Sequence, residues 1–79
     1  MKLTHDPKAN IAYIAFKAKR GKVRTVVVSD ELNVDVVPEG SIYGVELLSA
    51  NAQLAARKAL AVRAENKASG ESQEIELAV

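Results

Sequence analysis

Three groups of side chains in this 79-residue chain are of types that could do chemistry. The single histidine, His5, is followed by Asp6, and a carboxylate that orients an imidazole makes a general base. Adjacent residues of a strand point to opposite faces, so these two do not form such a pair by themselves. Asp-Pro usually opens a turn, and the plainer reading of His5-Asp6-Pro7 is a strand-end histidine beside a turn aspartate. Asp35 and Glu46 form the second group, with Asn33 on the same side of the chain. Paired carboxylates could serve acid/base chemistry or hold a hard cation such as Mg²⁺. Two carboxylates and an amide are thin coordination, and the competing reading is a polar margin that bonds across an interface. The third group is the basic run Lys17, Lys19, Arg20, Lys22 and Arg24. It could meet phosphates, but no aromatic residue lies within it to stack on a base, which favours a solvated hairpin tip. No serine-nucleophile motif, phosphate-binding loop, HExxH or glycine-rich dinucleotide loop is present, so the sequence implies no cofactor and favours a non-enzymatic protein.

The elements that hold these residues are legible from turn chemistry. Asn33 to Leu48 contains two alternating runs around Pro38-Glu39-Gly40-Ser41, the signature of a β-hairpin. The same pattern predicts strands over 2–5, 11–17, 22–29, 32–37 and 42–48, with turns at Asp6–Asn10, Ala18–Gly21, Asp30-Glu31 and Pro38–Ser41. Taken as a sequential antiparallel meander of order 1-2-3-4-5, these turns set Asn33 opposite Glu46, Asp35 opposite Gly44, Val27 opposite Val34 and Ile14 opposite Thr25. One face then collects Leu3, Ala12, Ile14, Phe16, Val23, Val27, Leu32, Val34, Val36, Tyr43, Val45 and Leu47. A one-residue slip would scatter that set.

The opposite face is predicted to carry Ile11, Tyr13, Val26, Val28 and Ile42 around the polar residues, an apolar patch too large to leave wet without a reason. An alanine-rich helix over 50–65, capped by Ser49, is predicted to cover one sheet face. A second subunit is then expected on the other, with Tyr13, Val26, Val28, Ile42 and Gly44 at a homodimer interface. The amphipathicity of that helix is poor, because Leu60 and Val62 fall on well-separated flanks. The fold class is therefore α+β: a five-stranded meander and one C-terminal helix in a single domain over 1–66. Residues 67–79 read as a flexible tail or an added edge strand.

Composition narrows the class further. With 48% hydrophobic and 27% charged residues the chain is ordinary for a globular domain, and a net charge of +1 gives no push towards nucleic acid or acidic membrane. The absence of cysteine rules out a disulfide and a thiolate zinc site. The polar start Met1–Pro7 does not resemble a secretory signal, and no apolar run approaches the roughly 20 residues that span a bilayer, so a soluble cytoplasmic protein is expected.

Two segments resemble a known family. His5-Asp6-Pro7-Lys8-Ala9-Asn10-Ile11-Ala12-Tyr13-Ile14, and Asn33-Val34-Asp35 through Gly40 followed by Gly44-Val45-Glu46-Leu47-Leu48-Ser49-Ala50, are similar to the small bacterial domain-of-unknown-function 2283 family. His5, Lys8 and Asn10 depart from its tyrosine, glutamate and second aspartate, and the segment after Asn51 lies outside its pattern. The resemblance implies an antiparallel sheet with a C-terminal helix and no established activity. It also implies an antitoxin-like role, binding a small protein partner, because members can lie beside small toxin-like genes. The expected function is a non-enzymatic, homo-oligomeric interaction module. The alternatives are a metal-binding protein or enzyme using Asp35 and Glu46, or a nucleic-acid binder using the basic tip.

Overall fold

The computed structural model describes residues 1–18, 21–56 and 59–78. Its main element is a five-stranded antiparallel sheet built from β1 (Lys2–Asp6), β2 (Ile11–Ala15), β3 (Arg24–Ser29), β4 (Leu32–Val36) and β5 (Ile42–Leu48). A helical turn α1 (Ala50–Gln53) follows, and then a separate hairpin of β6 (Ala59–Glu65) and β7 (Ser72–Ala78).

The strand order is β1-β2-β5-β4-β3, not the sequential meander that the turns predict. The β4–β5 register, with Asn33 on Glu46 and Asp35 on Gly44, is the one read from the Pro38–Ser41 turn. The difference lies in β2, which pairs with β5 rather than β3, so Ile14 meets Val45 and not Thr25. Both arrangements put Ala12 and Ile14 on the same apolar face, and alternation alone does not choose between them. The segment between β2 and β3 is long enough to pass β5 and β4, which leaves β3 at the edge with Val27 and Val28 mostly exposed.

Two register shifts refine the faces. One falls between Val27 and Ser29 on the β3–β4 pair, and it sets Val26, not Val27, against Val34. The other falls between Asp35 and Val36 on the β4–β5 pair, and it sets Val36 against Ile42 rather than Tyr43. A bulge inserts one unpaired residue and so reverses which face the residues beyond it occupy.

The predicted helix over 50–65 shrinks to the four residues of α1. Ser49 precedes it with φ 52° and makes no side-chain cap, and Ala55, also left-handed at φ 52°, stops it. Arg57 and Lys58, within the predicted helix, and the basic-tip residues Lys19 and Arg20 lie outside the described residues, as does Val79. From Ala59 the chain is extended because Leu60, Val62 and Ala64 alternate in step with Leu77, Ile75 and Gln73 across the hairpin. Leu60 and Val62 sit about 200° apart on a helix but on one side of a strand. Asn66 closes the hairpin: its Oδ1 accepts from the backbone N–H of Ala68 and Ser69, and Gly70 takes a φ of 78°. Residues 67–78 thus supply the turn and the second strand of this ribbon instead of a tail or an edge of the main sheet.

Helical turn α1 ties two turns of the sheet together. Asn51 Oδ1 accepts from His5 Nε2 at 2.8 Å, Asn51 Nδ2 donates to the Pro7 carbonyl, and the Asn51 backbone N–H donates to Asn10 Oδ1. Gln53 donates its amide to the Glu31 and Leu48 carbonyls. Among the described residues no helix is long and apolar enough to cross a membrane.

Candidate functional site

The chemistry-bearing residues gather on one face of the sheet. Direct partners across strands share a face and alternate along each strand. The pairings Thr25–Asp35, Asp35–Gly44 and Asn33–Glu46, with Glu46 on Tyr13, therefore place all of these on the same side. Asp35, on the inner strand β4, is 7% exposed. Its Oδ2 accepts from Tyr13 Oη and its Oδ1 from Thr25 Oγ1, both at 2.6 Å, the short distances of charge-assisted bonds.

Gly44 makes this reach possible. Tyr13 lies across it, and a Cβ at position 44 would stand 2.7 Å from Tyr13 Cε1 and 2.5 Å from the Ile14 carbonyl oxygen. The Tyr43 ring centroid lies 6.3 Å from that of Tyr13, tilted by 43°. One belt of side chains thus connects β2, β4 and β3 across the glycine of β5. Beside it Asn33 Nδ2 donates to Glu46 Oε1 at 3.1 Å, while Asn33 Oδ1 is buried without a partner among the described residues.

Asp35 and Glu46 share this face, but the two carboxylates are turned to different work: Asp35 to two hydroxyls, Glu46 to an amide. No group of three or more histidine, cysteine, aspartate or glutamate residues is placed to hold a metal ion among the described residues. His5 and Asp6 point apart: Asp6 Oδ1 accepts from the N–H groups of Lys8 and Ala9, and His5 turns to Asn51. The basic tip is partly neutralised, with Lys17 Nζ 3.3 Å from Glu39 and 2.6 Å from Ser41 Oγ. The Ser41 hydroxyl, and then Lys17, hold the Glu39 carboxyl below its ordinary pKa.

The residues read as a dimer interface are divided by the fold. Tyr13 and Gly44 lie in the polar belt, whereas Val26 pairs with Val34 and Ile42 with Val36 on the opposite face. Val28 sits at the β3 bulge and is 57% exposed.

That opposite face is the larger feature. Leu3 and Ile14 pair on it, Ile14 meets Val45, Val45 meets Val34, and Val34 meets Val26; Leu47, Leu32, Val36 and Ala12 complete it. A helix over 50–65 would cover such a surface, but α1 ends at Gln53. Most of these side chains are consequently only half-buried. The fully buried apolar residues among those described are Ala12, Tyr43, Ala50 and Leu60. Sequence reasoning missed that this face is open, because alanine content favoured a long helix; the signal against it was the weak amphipathicity of 50–65.

No curated protein and no solved structure matches the chain. The sheet and the first residues of α1 coincide with residues 2–51, which match the family described as "Protein of unknown function (DUF2283)", and the chain belongs to that family.

Proposed function

We propose that this protein is a non-enzymatic, homo-oligomeric interaction module whose interface is the open apolar face of the main sheet. The observation that carries this reading is surface area. The chain exposes 5979 Å², whereas a folded monomer of its size exposes about 4,700 Å². The excess exceeds the roughly 800 Å² that each partner contributes to a standard interface. The Cα radius of gyration of 13.9 Å is likewise above the about 12 Å of a compact domain of this length. A flat sheet with one apolar side completes its core by acquiring a second layer. A second copy supplies an identical apolar face, which makes a two-fold sandwich the simplest assembly.

Sedimentation equilibrium on the wild type, Val34→Asp and Val27→Asp tests the proposal. Val34 lies mid-face on an inner strand, so a carboxylate there is desolvated without a partner in the complex, at about 3–5 kcal/mol. Val27 faces the other way and is 72% exposed, so its change costs under about 0.5 kcal/mol. The wild type and Val27→Asp are expected as dimers at micromolar concentration and Val34→Asp as a monomer. A wild type of single-chain mass would end the proposal, and a stoichiometric small protein recovered on the same face would replace the second copy as its occupant.

A further inference from the structure

The β6–β7 ribbon lies beyond the family match that ends at residue 51, and the outer edge of β6 is open. The Asn66 N–H donates to the Glu71 carbonyl at 2.8 Å, which fixes the alternation of the ladder. Antiparallel strands exchange hydrogen bonds at every second residue. Leu60, Val62 and Ala64 therefore bond to β7, and the backbone groups of Ala59, Ala61, Arg63 and Glu65 point away from it. Those outward groups meet no protein partner among the described residues. The apolar side of β6 needs no new cover, because Leu60 is buried and Val62 half-buried within their own chain. What the strand lacks is a neighbour along its edge.

The other outer strands are guarded against such a neighbour. β1 runs into Pro7, β3 is bulged at Val28, and β7 carries Glu74 and Glu76 at outward positions. β6 has no proline and no register shift, and alanines at two of its outward positions let another backbone approach closely. We propose that β6 pairs antiparallel with β6 of a second copy, with Val62 opposite Val62 on the two-fold axis. This register overlaps all seven residues of the strand. It joins Ala59 to Glu65 and Ala61 to Arg63 through the outward groups, so no charge directly faces a like charge. Leu60 faces Ala64, which continues the apolar side across both ribbons. The same overlap of β7 would set Glu74 against Glu76, which their charges oppose. The product has four strands, whereas a two-stranded ribbon is marginal in water. So short an edge is too weak to hold two chains by itself. The inference therefore rests on the homo-oligomeric reading above and adds a second contact to that dimer.

The chain has no cysteine, so single thiols can be placed cleanly. Full-length Val62→Cys and Ala64→Cys are oxidised with copper phenanthroline and run on a non-reducing gel. Val62→Cys is expected to give a disulfide-linked dimer, because directly opposed residues outside the hydrogen-bonded pairs bring their Cβ atoms within disulfide reach. Ala64→Cys is expected to stay unlinked, since its counterpart lies four residues further along the strand. Linking of Ala64→Cys in place of Val62→Cys would overturn the register. Linking of neither in a dimeric protein would overturn the pairing while leaving the sheet-face dimer intact. As a second readout, Ala61→Pro removes one outward N–H from each chain and spares the ladder to β7. It is expected to raise the dimer dissociation constant about tenfold, while Glu74→Pro on the outer edge of β7 leaves it unchanged. No rise for Ala61→Pro, or an equal rise for both, refutes the pairing, whereas a wild type that never dimerises refutes the underlying homo-oligomer.

Discussion

Asp35 is a carboxylate kept out of water by two hydroxyl donors, and its energetics depend on their both being present. Tyr13→Phe keeps the ring packed over Gly44 but withdraws one charge-assisted hydrogen bond. A loss of about 2 kcal/mol is expected in urea unfolding, with the slope unchanged. Gly44→Ala acts on the same belt from below. Its methyl group would overlap both the Ile14 carbonyl and the Tyr13 ring, and the backbone contact cannot be relieved by rotating a side chain. A cost of about 2–3 kcal/mol is expected, and combined with Tyr13→Phe it should fall short of the sum, since both changes disrupt one contact. At the hairpin tip, Glu39 has a lowered pKa because Ser41 and Lys17 favour its ionised form. Its contribution is therefore present above the unfolded glutamate pKa and is lost as pH falls through the lower, folded value. The melting temperatures of wild type and Glu39→Gln should differ slightly at neutral pH and converge in acid; a difference that grows on acidification would contradict this sign.

At the level of elements, the break after α1 has a direct test. Ala55 holds a left-handed conformation, which a Cβ disfavours by roughly 1 kcal/mol, so Ala55→Gly should stabilise the protein by up to that amount. Within a continuous helix over 50–65 the same change would destabilise by about 1 kcal/mol. The two readings differ in sign, and chemical denaturation of the single variant separates them. The strands around Asn33, Asp35, Gly44 and Glu46 were readable because the Pro38–Ser41 turn is local and fixes its own register. The partner of β2 was not, because pairing with β3 or with β5 buries the same Ala12 and Ile14, and period-two alternation is blind to that choice. Bulges are similarly silent: Val26-Val27-Val28 offers the same side chain at three successive positions, so a shift of one costs the sequence pattern nothing. Alanine propensity misdirected the reading of 59–65, where cross-strand pairing with residues 72–78 outweighs it. The polar belt itself was half legible: Asp35 over Gly44 followed from register, but Tyr13 reaches it only through the true strand order and Thr25 only through the shifted register of β3 on β4.

As a whole molecule, the chain has a small interior, and the homo-oligomer proposed above makes a prediction at this scale. Its buried apolar set includes two alanines, Ala12 and Ala50, which add little to a core. Folding and assembly should then be linked, and the midpoint of thermal unfolding should rise with protein concentration. A midpoint constant over a hundredfold range of concentration would show instead that one chain is stable alone.

The outer strands of the main sheet have a consequence for how large any assembly becomes. Strand β3 is interrupted by its bulge at Val28, and β1 begins at Lys2 and gives way to Pro7 after Asp6. An edge that is kinked, charged or short of a donor is a poor template for another strand. Growth by lateral strand addition, the route to filaments, is thus obstructed at both margins of this sheet, while its apolar side remains open. Edges that resist strand addition leave the apolar face, rather than the margins, as the part of the main sheet open to contact.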